Sequence, residues 1–562
     1  IEREVDPNLE IAEITRRSVA EAGPALLFEN VKGSRYPLAA NLMATMERIE
    51  IGLGRHPEQI GEELYKMADD ILPPRPAAVW RNRKQLWRLA KIMPRSVRRP
   101  AARAVDLNPP RLTRLPILTC SPEDAGAFVT LPLVITRDSR NGRFNMGMYR
   151  MQLYDDASTG MHFQLQKGGA FHLDNAARAG KPLDVAVVLG GDPALILSAV
   201  MALPEGVDEM GFAGFLRGER TKLARSTFSQ LRYPAEAEFL LEGTVAHDDL
   251  RLEGPFGDHF GHYSTQEMFP VFRVKSVSSR RNPIYPASVV GKPPMEDRAI
   301  GDATQMILGP LIRLVHHEIR ELWAYYEAGF HNLNVVSIDQ RYAREALKTA
   351  FGILGQGQLS LTKVLILVGD DVNPRSIAEV AEAIRRNFDI STDLLIIPNT
   401  AIDTLDFTGD ALHSGSKMII DATAKPERKP DARKARVNLG DLPVLKWRLI
   451  RDCILAVQTE EKNGAATIEA IVNNPSLCPG VKIAVSVSTD VDIHNDVELI
   501  WGIFTRFDCA NDLYVTKKLF RGAAPRYEGV LGVNAVWKAR YPKPIVMSQQ
   551  IVDKVDANWL HY

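Results

Sequence analysis

A chain of 562 residues with 45% hydrophobic and 25% charged residues is too long for one core, and its composition is that of a globular protein of roughly two to four domains. Lysine plus arginine and aspartate plus glutamate balance at 69 each, which argues against a global field for nucleic acid or anionic lipid. The cysteines (Cys120, Cys453, Cys478, Cys509) are far apart with no zinc-type spacing, and no run of about 18 apolar residues marks a transmembrane segment. Free thiols in a cytoplasmic protein are the expectation.

The first 75 residues alternate short apolar and helical patterns. Pro24–Phe28 reads as a strand and Ala40–Ile51 as an amphipathic helix, so an α/β layer is expected. Residues 76–105 interleave Trp80 and Trp87 with arginines. Such a mixture can grip a nucleic-acid backbone, but Leu86, Leu89 and Ile92 at helical spacing favour a surface helix and linker. From Leu115 to Ser279 short strands dominate: Ala127–Thr136, Val185–Leu189, Phe239–Thr244 and Phe269–Ser276. Gly, Pro and Asp turns separate them, which predicts an antiparallel barrel or split barrel with a helical insertion at Pro193–Leu203. The turn Gly190–Pro193 is either a phosphate-binding turn or a strand-to-helix turn with Asp192 as its cap.

A connector helix is predicted over 300–330, from Met306, Leu308, Leu311, Leu314, Ile319 and Leu322. Strands at Leu333–Ile338, Lys363–Val368 and Asp393–Ile397 then alternate with helices at Ala343–Gly355 and Ser376–Phe388, the rhythm of βαβ units. Lys363–Asp371 matches Lys482–Asp490 at a spacing of 119, which also carries Phe388-Asp389 onto Phe507-Asp508 and Asp393-Leu394 onto Asp512-Leu513. The stretch 426–545 is therefore a duplicated lobe, lacking a counterpart of Gly415-Ser416-Lys417 at that spacing, and Gln549–Tyr562 is a docking helix.

Two polar stretches stand out. Asn141–Ala170 reads as a hairpin turning at Asp155–Gly160, with Asn145, Arg150, Gln164 and Lys167 set among glycines and apolar residues. An amide, an arginine fork and a lysine suit a buried anionic ligand; a solvated hairpin accounts for the same residues. Arg251–His259 holds Glu253 and Asp258 five positions apart across Gly254, Pro255 and Gly257, in a segment expected to be irregular. It is either a loop aiming two carboxyl groups into one site or a surface turn.

Together these stretches resemble the UbiD family of decarboxylases. The residues that carry the resemblance are Asn145–Arg150, Met161–Gln164 with Lys167–Gly169, Leu189–Pro193, Phe212–Gly218, Glu253–His259, Val290–Pro294 and Gly415–Met418, in the family's order over roughly 30–425, together with the final helix. The resemblance implies prenylated FMN bound in a split barrel with a divalent metal, usually Mn2+, and K+. It implies removal or addition of carbon dioxide on aromatic or α,β-unsaturated acids, a flavin prenyltransferase as cofactor supplier, and a homo-oligomer (dimer or hexamer). Carried onto this sequence, Asn145, Glu209 and Gln166 are the metal-ligand positions. Met148, Tyr149, Arg150, His162, Phe163, Gln164, Lys167, Gly168 and, from a later domain, Lys417 are cofactor contacts. Arg150, Glu253 and Asp258 form the catalytic network, with Asp258 as a proton donor whose pKa burial should raise.

Gln166 stands where many relatives carry a histidine, and the 426–540 insertion is absent from shorter relatives. The expected fold is a multidomain α/β (α+β) chain: N-terminal α/β domain and linker 1–114, split-barrel flavin-binding domain 115–298, connector helix 299–330, α/β domain 331–425, duplicated lobe 426–545 and terminal helix 546–562. The expected function is reversible non-oxidative decarboxylation. The rivals are a physiological carboxylase and a non-catalytic flavin-binding scaffold; retention of Arg150, Glu253 and Asp258 together counts against the scaffold.

Overall fold

The longest strands, Phe239–Glu253 and Glu267–Ser279, are buried continuously over Phe239–Gly243 and Ser276–Ser279 and pair antiparallel from Phe239↔Ser279 to Glu253↔Glu267. They are the spine of a nine-stranded antiparallel sheet. Its order is Phe128–Val129, Met151–Asp155, Ser158–Gly160, Glu267–Ser279, Phe239–Glu253, Leu183–Leu189, Pro132–Arg137 and Phe144–Met148, with Val105–Asp106 paired to Glu267–Ser279 off this path. Register shifts at Glu242/Gly243 and Val245/Leu250 bend the central pair, and the sheet curls into a half-barrel. In this computed structural model the described residues are 1–72, 76–84, 86–87, 93–164, 167–203, 206–431 and 433–562.

The chain forms two units, Ile1–Leu308 with Pro544–Tyr562, and Gly309–Lys543. In the first, Leu133, Ile135, Met146, Ala186 and Val188 from the sheet share one core with helices Met46–Leu53, Pro57–Ile71, Pro193–Val200, Glu209–Arg217 and Asp297–Leu308. Asp192 caps Pro193–Val200 by accepting from the Leu195 N–H at 3.1 Å, so the plain strand-to-helix turn is what the structure shows there. The terminal helix, Gln549–Asn558, packs on the first helix, Glu10–Ala20, through Lys554–Glu10 at 2.7 Å and Arg17 over the Trp559 ring. Leu89 and Ile92 of the expected surface helix lie outside the described residues.

The connector helix is shorter than expected. It stops at Leu308, because Gly309-Pro310 withdraws helix propensity and an N–H donor. Ile319 and Leu322 belong instead to the strand Ile319–Ala324. Similarly, Arg251–Glu253 end a regular strand; only residues 254–266 make the expected irregular loop. The hairpin turning at Asp156-Ala157 is present, but its first run is interrupted at Tyr149-Arg150, and its far end becomes the helix Gly168–Arg178.

The second unit contains two five-stranded sheets of one topology. The first runs Ile319–Ala324, Leu333–Ile338, Val364–Gly369, Ser414–Asp421, Leu394–Ala401; the second runs Lys446–Ile450, Ile454–Gln458, Ile483–Val487, Ala524–Ala535, Leu513–Arg521. In both, the outer pairings are antiparallel and the two inner ones parallel. The duplication read from the sequence is thus a duplicated fold. All four cysteines are free and buried, and among the described residues no helix is long and apolar enough to cross a membrane.

Close helix packing in the first unit depends on Gly61, where a Cβ would lie 2.2 Å from the Met306 carbonyl oxygen. Gly61→Ala is expected to push the helices Pro57–Ile71 and Asp297–Leu308 apart and cost about 1–3 kcal/mol, read as a lower urea midpoint at unchanged slope.

Candidate active site

Arg150 sits where the chain leaves its pairing with Pro132–Arg137 and joins Phe128–Val129, so its side chain is turned inward between strands. Its Nε donates to Glu253 Oε1 at 3.0 Å, Nη1 to Asp258 Oδ2, and Nη2 to Ser264 Oγ at 3.2 Å. The guanidinium also lies 4.8 Å above the Phe256 ring. On the outer side of each carboxylate stands an imidazole: His162 Nδ1 is 2.8 Å from Glu253 Oε1, and His259 Nδ1 is 2.8 Å from Asp258 Oδ1. The result is one row, His162–Glu253–Arg150–Asp258–His259. Glu253 Oε2 is buried without a hydrogen-bond partner. A Cβ on Gly160 would come within 3.0 Å of it.

Burial works to raise the pKa of both acids. For Glu253 the His162 hydrogen bond and the Arg150 charge outweigh it, and the pKa is lowered. For Asp258, His259 and Arg150 oppose it and hold the carboxyl well below the usual carboxylate range. The expectation of a raised Asp258 pKa is therefore corrected for this state of the site: its charge has two direct partners. Burial, then Arg150, lowers the pKa of His162, so its Nδ1 carries the proton of a neutral ring and donates it to Glu253.

The loop between the two acids is clamped from beneath. Asp124 Oδ1 accepts from the Gly257 N–H at 2.8 Å, and Oδ2 accepts from Ser121 at 2.8 Å and Cys120 at 3.0 Å. Gln152 Oε1 accepts from Gly254 N–H at 2.9 Å while its Nε2 donates to Ala125 O at 3.0 Å. Burial pushes the Asp124 pKa up to about 6 in spite of those donors. Asp124, Gln152 and Ser264 were not read from the sequence. Each is a common polar residue at a position that only tertiary pairing makes special, so no local signal marks it.

A second group lies at the other end of Phe144–Met148. Glu209, first residue of its helix, accepts from Met146 N–H at 3.1 Å, beside Asn145. A Cβ on Gly168 would fall 2.1 Å from Asn145 Oδ1, and one on Gly169 2.6 Å from the Phe163 ring. These glycines let the helix Gly168–Arg178 start against Asn145, Phe163 and Tyr149, whose hydroxyl accepts from Gly169 N–H at 3.2 Å. Burial raises the Glu209 pKa to about 7, the mark of a carboxylate short of positive charge. An amide oxygen and such a carboxylate fit a hard divalent cation. Among the described residues no three His, Cys, Asp or Glu side chains gather at one point. Gln166 lies outside the described residues.

Of the other expected contacts, Met148 packs on the core, Gln164 O accepts from Lys167 N–H, and Lys167 precedes the helix start. Lys417 is corrected. It is buried in the second unit with Nζ donating to Thr362 O at 2.8 Å, and desolvation lowers its pKa to about 8. That ammonium is spent on the backbone of its own lobe rather than presented to a phosphate.

The row of charges yields a prediction with a definite sign. The lowered pKa values of Glu253 and Asp258 mean that both stabilise the fold fully above the unfolded carboxylate range and lose that contribution as pH falls through the folded values. Arg150→Met leaves two buried carboxylates without their shared cation and is expected to cost about 3–5 kcal/mol near pH 7. In the variant burial dominates both acids, so the gap to wild type should narrow between pH 7 and pH 4 in thermal melts. A constant gap would contradict this.

Residues 1–68, 95–293 and 298–422 with 449–523 match the N-terminal, Rift-related and C-terminal domains of 3-octaprenyl-4-hydroxybenzoate carboxy-lyase (UbiD). The chain is 37% identical over 559 residues to a 4-hydroxybenzoate decarboxylase polypeptide of Chlamydia pneumoniae, covering 99% of this chain and 94% of that one. The vanillic acid decarboxylase of Sedimentibacter hydroxybenzoicus in closed form superposes with a TM-score of 0.67 at 24% identity, covering 78% of this chain and 91% of that one. The UbiD-class enzyme HmfF of Pelotomaculum thermopropionicum, solved in complex with FMN, does so with a TM-score of 0.64 at 26% identity over 76% and 91%. An evolved dimeric form of HmfF, solved with prenylated FMN, gives 0.61 at 24% over 76% and 92%. The chain belongs to the UbiD family of carboxy-lyases.

Proposed function

We propose that the protein decarboxylates an aromatic or α,β-unsaturated carboxylic acid with prenylated FMN, and that Arg150, Glu253 and Asp258 carry the proton chemistry. The observation that supports this most directly is the single guanidinium shared by two buried carboxylates. When bound, the prenylated flavin would supply the electron sink for the charge left as the carbon–carbon bond breaks. Asn145 and Glu209, with Gln166 the third position, would hold a divalent cation such as Mn2+ beside its phosphate. K+ is part of the same reading. Met148, Tyr149, His162, Phe163, Gln164, Lys167 and Gly168 would line it.

The charge count gives Asp258 its role. The free site has one permanent cation, Arg150, for two carboxylates. A substrate carboxylate that takes an Arg150 N–H makes a third anion in a buried space, and the least costly response is for one carboxyl group to take a proton. Asp258 is the candidate, because its partner His259 has a side chain 27% exposed and reaches solvent, whereas Glu253 is enclosed and bonded to a neutral His162. Release of carbon dioxide leaves a carbon that must gain a proton. Asp258 gives it, and water replaces it through His259. Overall, carboxylate and one proton become product and carbon dioxide. The reverse direction uses the same residues. Supply by a flavin prenyltransferase and a homo-oligomeric, cytoplasmic enzyme belong to this proposal.

Protein co-expressed with a flavin prenyltransferase should release prenylated FMN on mass spectrometry and carry a stoichiometric divalent metal. Plain FMN or no flavin would overturn the cofactor assignment. In a screen of aromatic and unsaturated acids, Asp258→Asn should lower kcat by about 10²-fold or more with bound cofactor unchanged. Undiminished turnover would remove Asp258 as the donor.

A further inference from the structure

The two lobes of the second unit are equivalent in more than topology. At the spacing of 119 that relates Lys363 to Lys482, the helix Glu345–Leu354 maps onto Gly464–Asn473, Ile377–Asn387 begins at the counterpart of Asp496–Phe504, and Leu394–Ala401 at that of Leu513–Arg521. Local bonds repeat too. Asp389 N–H donates to Asp393 Oδ2 at 2.9 Å, and Asp508 N–H to Asp512 Oδ2 at 2.8 Å.

The contacts between the lobes repeat in exchanged form. Lys363 Nζ of the first lobe donates to Phe507 O of the second at 3.0 Å, and Lys482 Nζ of the second donates to Phe388 O of the first at 2.8 Å. Each residue in one bond is the counterpart of its opposite in the other. Each lobe also reaches a helix of the other, though at acceptor positions that are not counterparts. Asn332 Nδ2 of the first lobe donates to Phe504 O at the end of the second lobe's helix at 3.0 Å, while Cys453 Sγ of the second lobe lies 3.4 Å from Ala381 O on the first lobe's helix.

The core has the same symmetry. Val364, Ile366 and Val368 join Ile483, Val485 and Val487 in one shared cluster. The alternate residues Leu365 and Leu367 form the first lobe's private core, and Ala484 forms part of the second's. An interface in which i meets j and j meets i is isologous, the kind that relates identical subunits across a twofold axis.

We infer that the second lobe occupies a docking face built for a second copy of the same fold, so that the chain closes within itself a contact that a single-lobe chain would make with another molecule. The face on the first lobe comprises Lys363, Ala381, Ile384 and Phe388; its occupant is the equivalent face of the second. The missing counterpart of Lys417 accords with this. In strand register its place is taken by Val530, so the second lobe keeps the face and not the lysine.

The test uses the full chain. Lys482→Asp with Phe504→Asp spoils the second lobe's side of the contact and leaves the first lobe's face free. Native mass spectrometry should then show particles of twice the wild-type mass, and adding Ile384→Asp on the first lobe should return them to it. A particle that stays at wild-type mass, with the lobe contact shown to be open by hydrogen exchange, overturns the inference. If the double variant aggregates, the single change Lys482→Met decides. It should raise amide exchange at Phe388–Asp393 of the first lobe several-fold, and unaltered protection there would show that the exchanged bonds do not couple the lobes.

Discussion

The candidate site of the first unit is governed by its balance of charge. One guanidinium serves two buried carboxylates, and no interior can hold three such charges unless each has a partner and the remaining lone pairs meet donors. The surroundings answer that requirement residue by residue. Neutral His162 donates to Glu253, His259 donates to Asp258, and Ser264 takes the Arg150 donor that the acids leave over. The loop carrying Asp258 is in turn fixed by Asp124 and Gln152 through backbone N–H groups. Each charge in the row thus has at least one direct partner.

The second polar group is balanced differently. Glu209 has backbone N–H partners, and burial lifts its pKa with no neighbouring cation to oppose it among the described residues. A buried carboxylate of this kind costs stability unless a positive ion is supplied. The Arg150 row carries its own counter-charge, whereas Glu209 has none among the described residues. Two glycines at the start of the adjoining helix let it pack directly against Asn145 and Phe163. The same sheet therefore carries a self-compensated row of charges near one end of Phe144–Met148 and an uncompensated carboxylate near the other.

Much of this was legible in the sequence, and for identifiable reasons. Gly254, Pro255 and Gly257 mark the loop between Glu253 and Asp258 whatever the fold, and a repeat that preserves Lys363, Phe388 and Asp393 at one spacing preserves local bonds that need those residues. What escaped was set by partners distant in sequence. Arg251–Glu253 form strand because Glu253 pairs with Glu267, a long-range contact with no periodic trace. Ile319 and Leu322 fit a helical spacing, yet Gly309-Pro310 ends the helix before them and Val336 and Ile338 capture them in a sheet. The direction of the Asp258 pKa depends on two partners whose distances no sequence discloses. Lys417 sits in a stretch that resembles a family motif, but its burial against Thr362 O is a property of the packed lobe.

The docking of the terminal helix carries a consequence for synthesis. Glu10 is nearly fully buried, and its side chain is satisfied by Lys554 and Tyr562, which lie 544 and 552 residues further along. The stretch of chain between them makes an entire second unit before returning at Pro544. During synthesis Glu10 therefore has only its local partner, the Asp6 N–H, until Lys554 and Tyr562 have been made. The side-chain contacts of that helix with the terminal segment close only after the second unit has been made, and the second unit has the whole of that interval in which to fold.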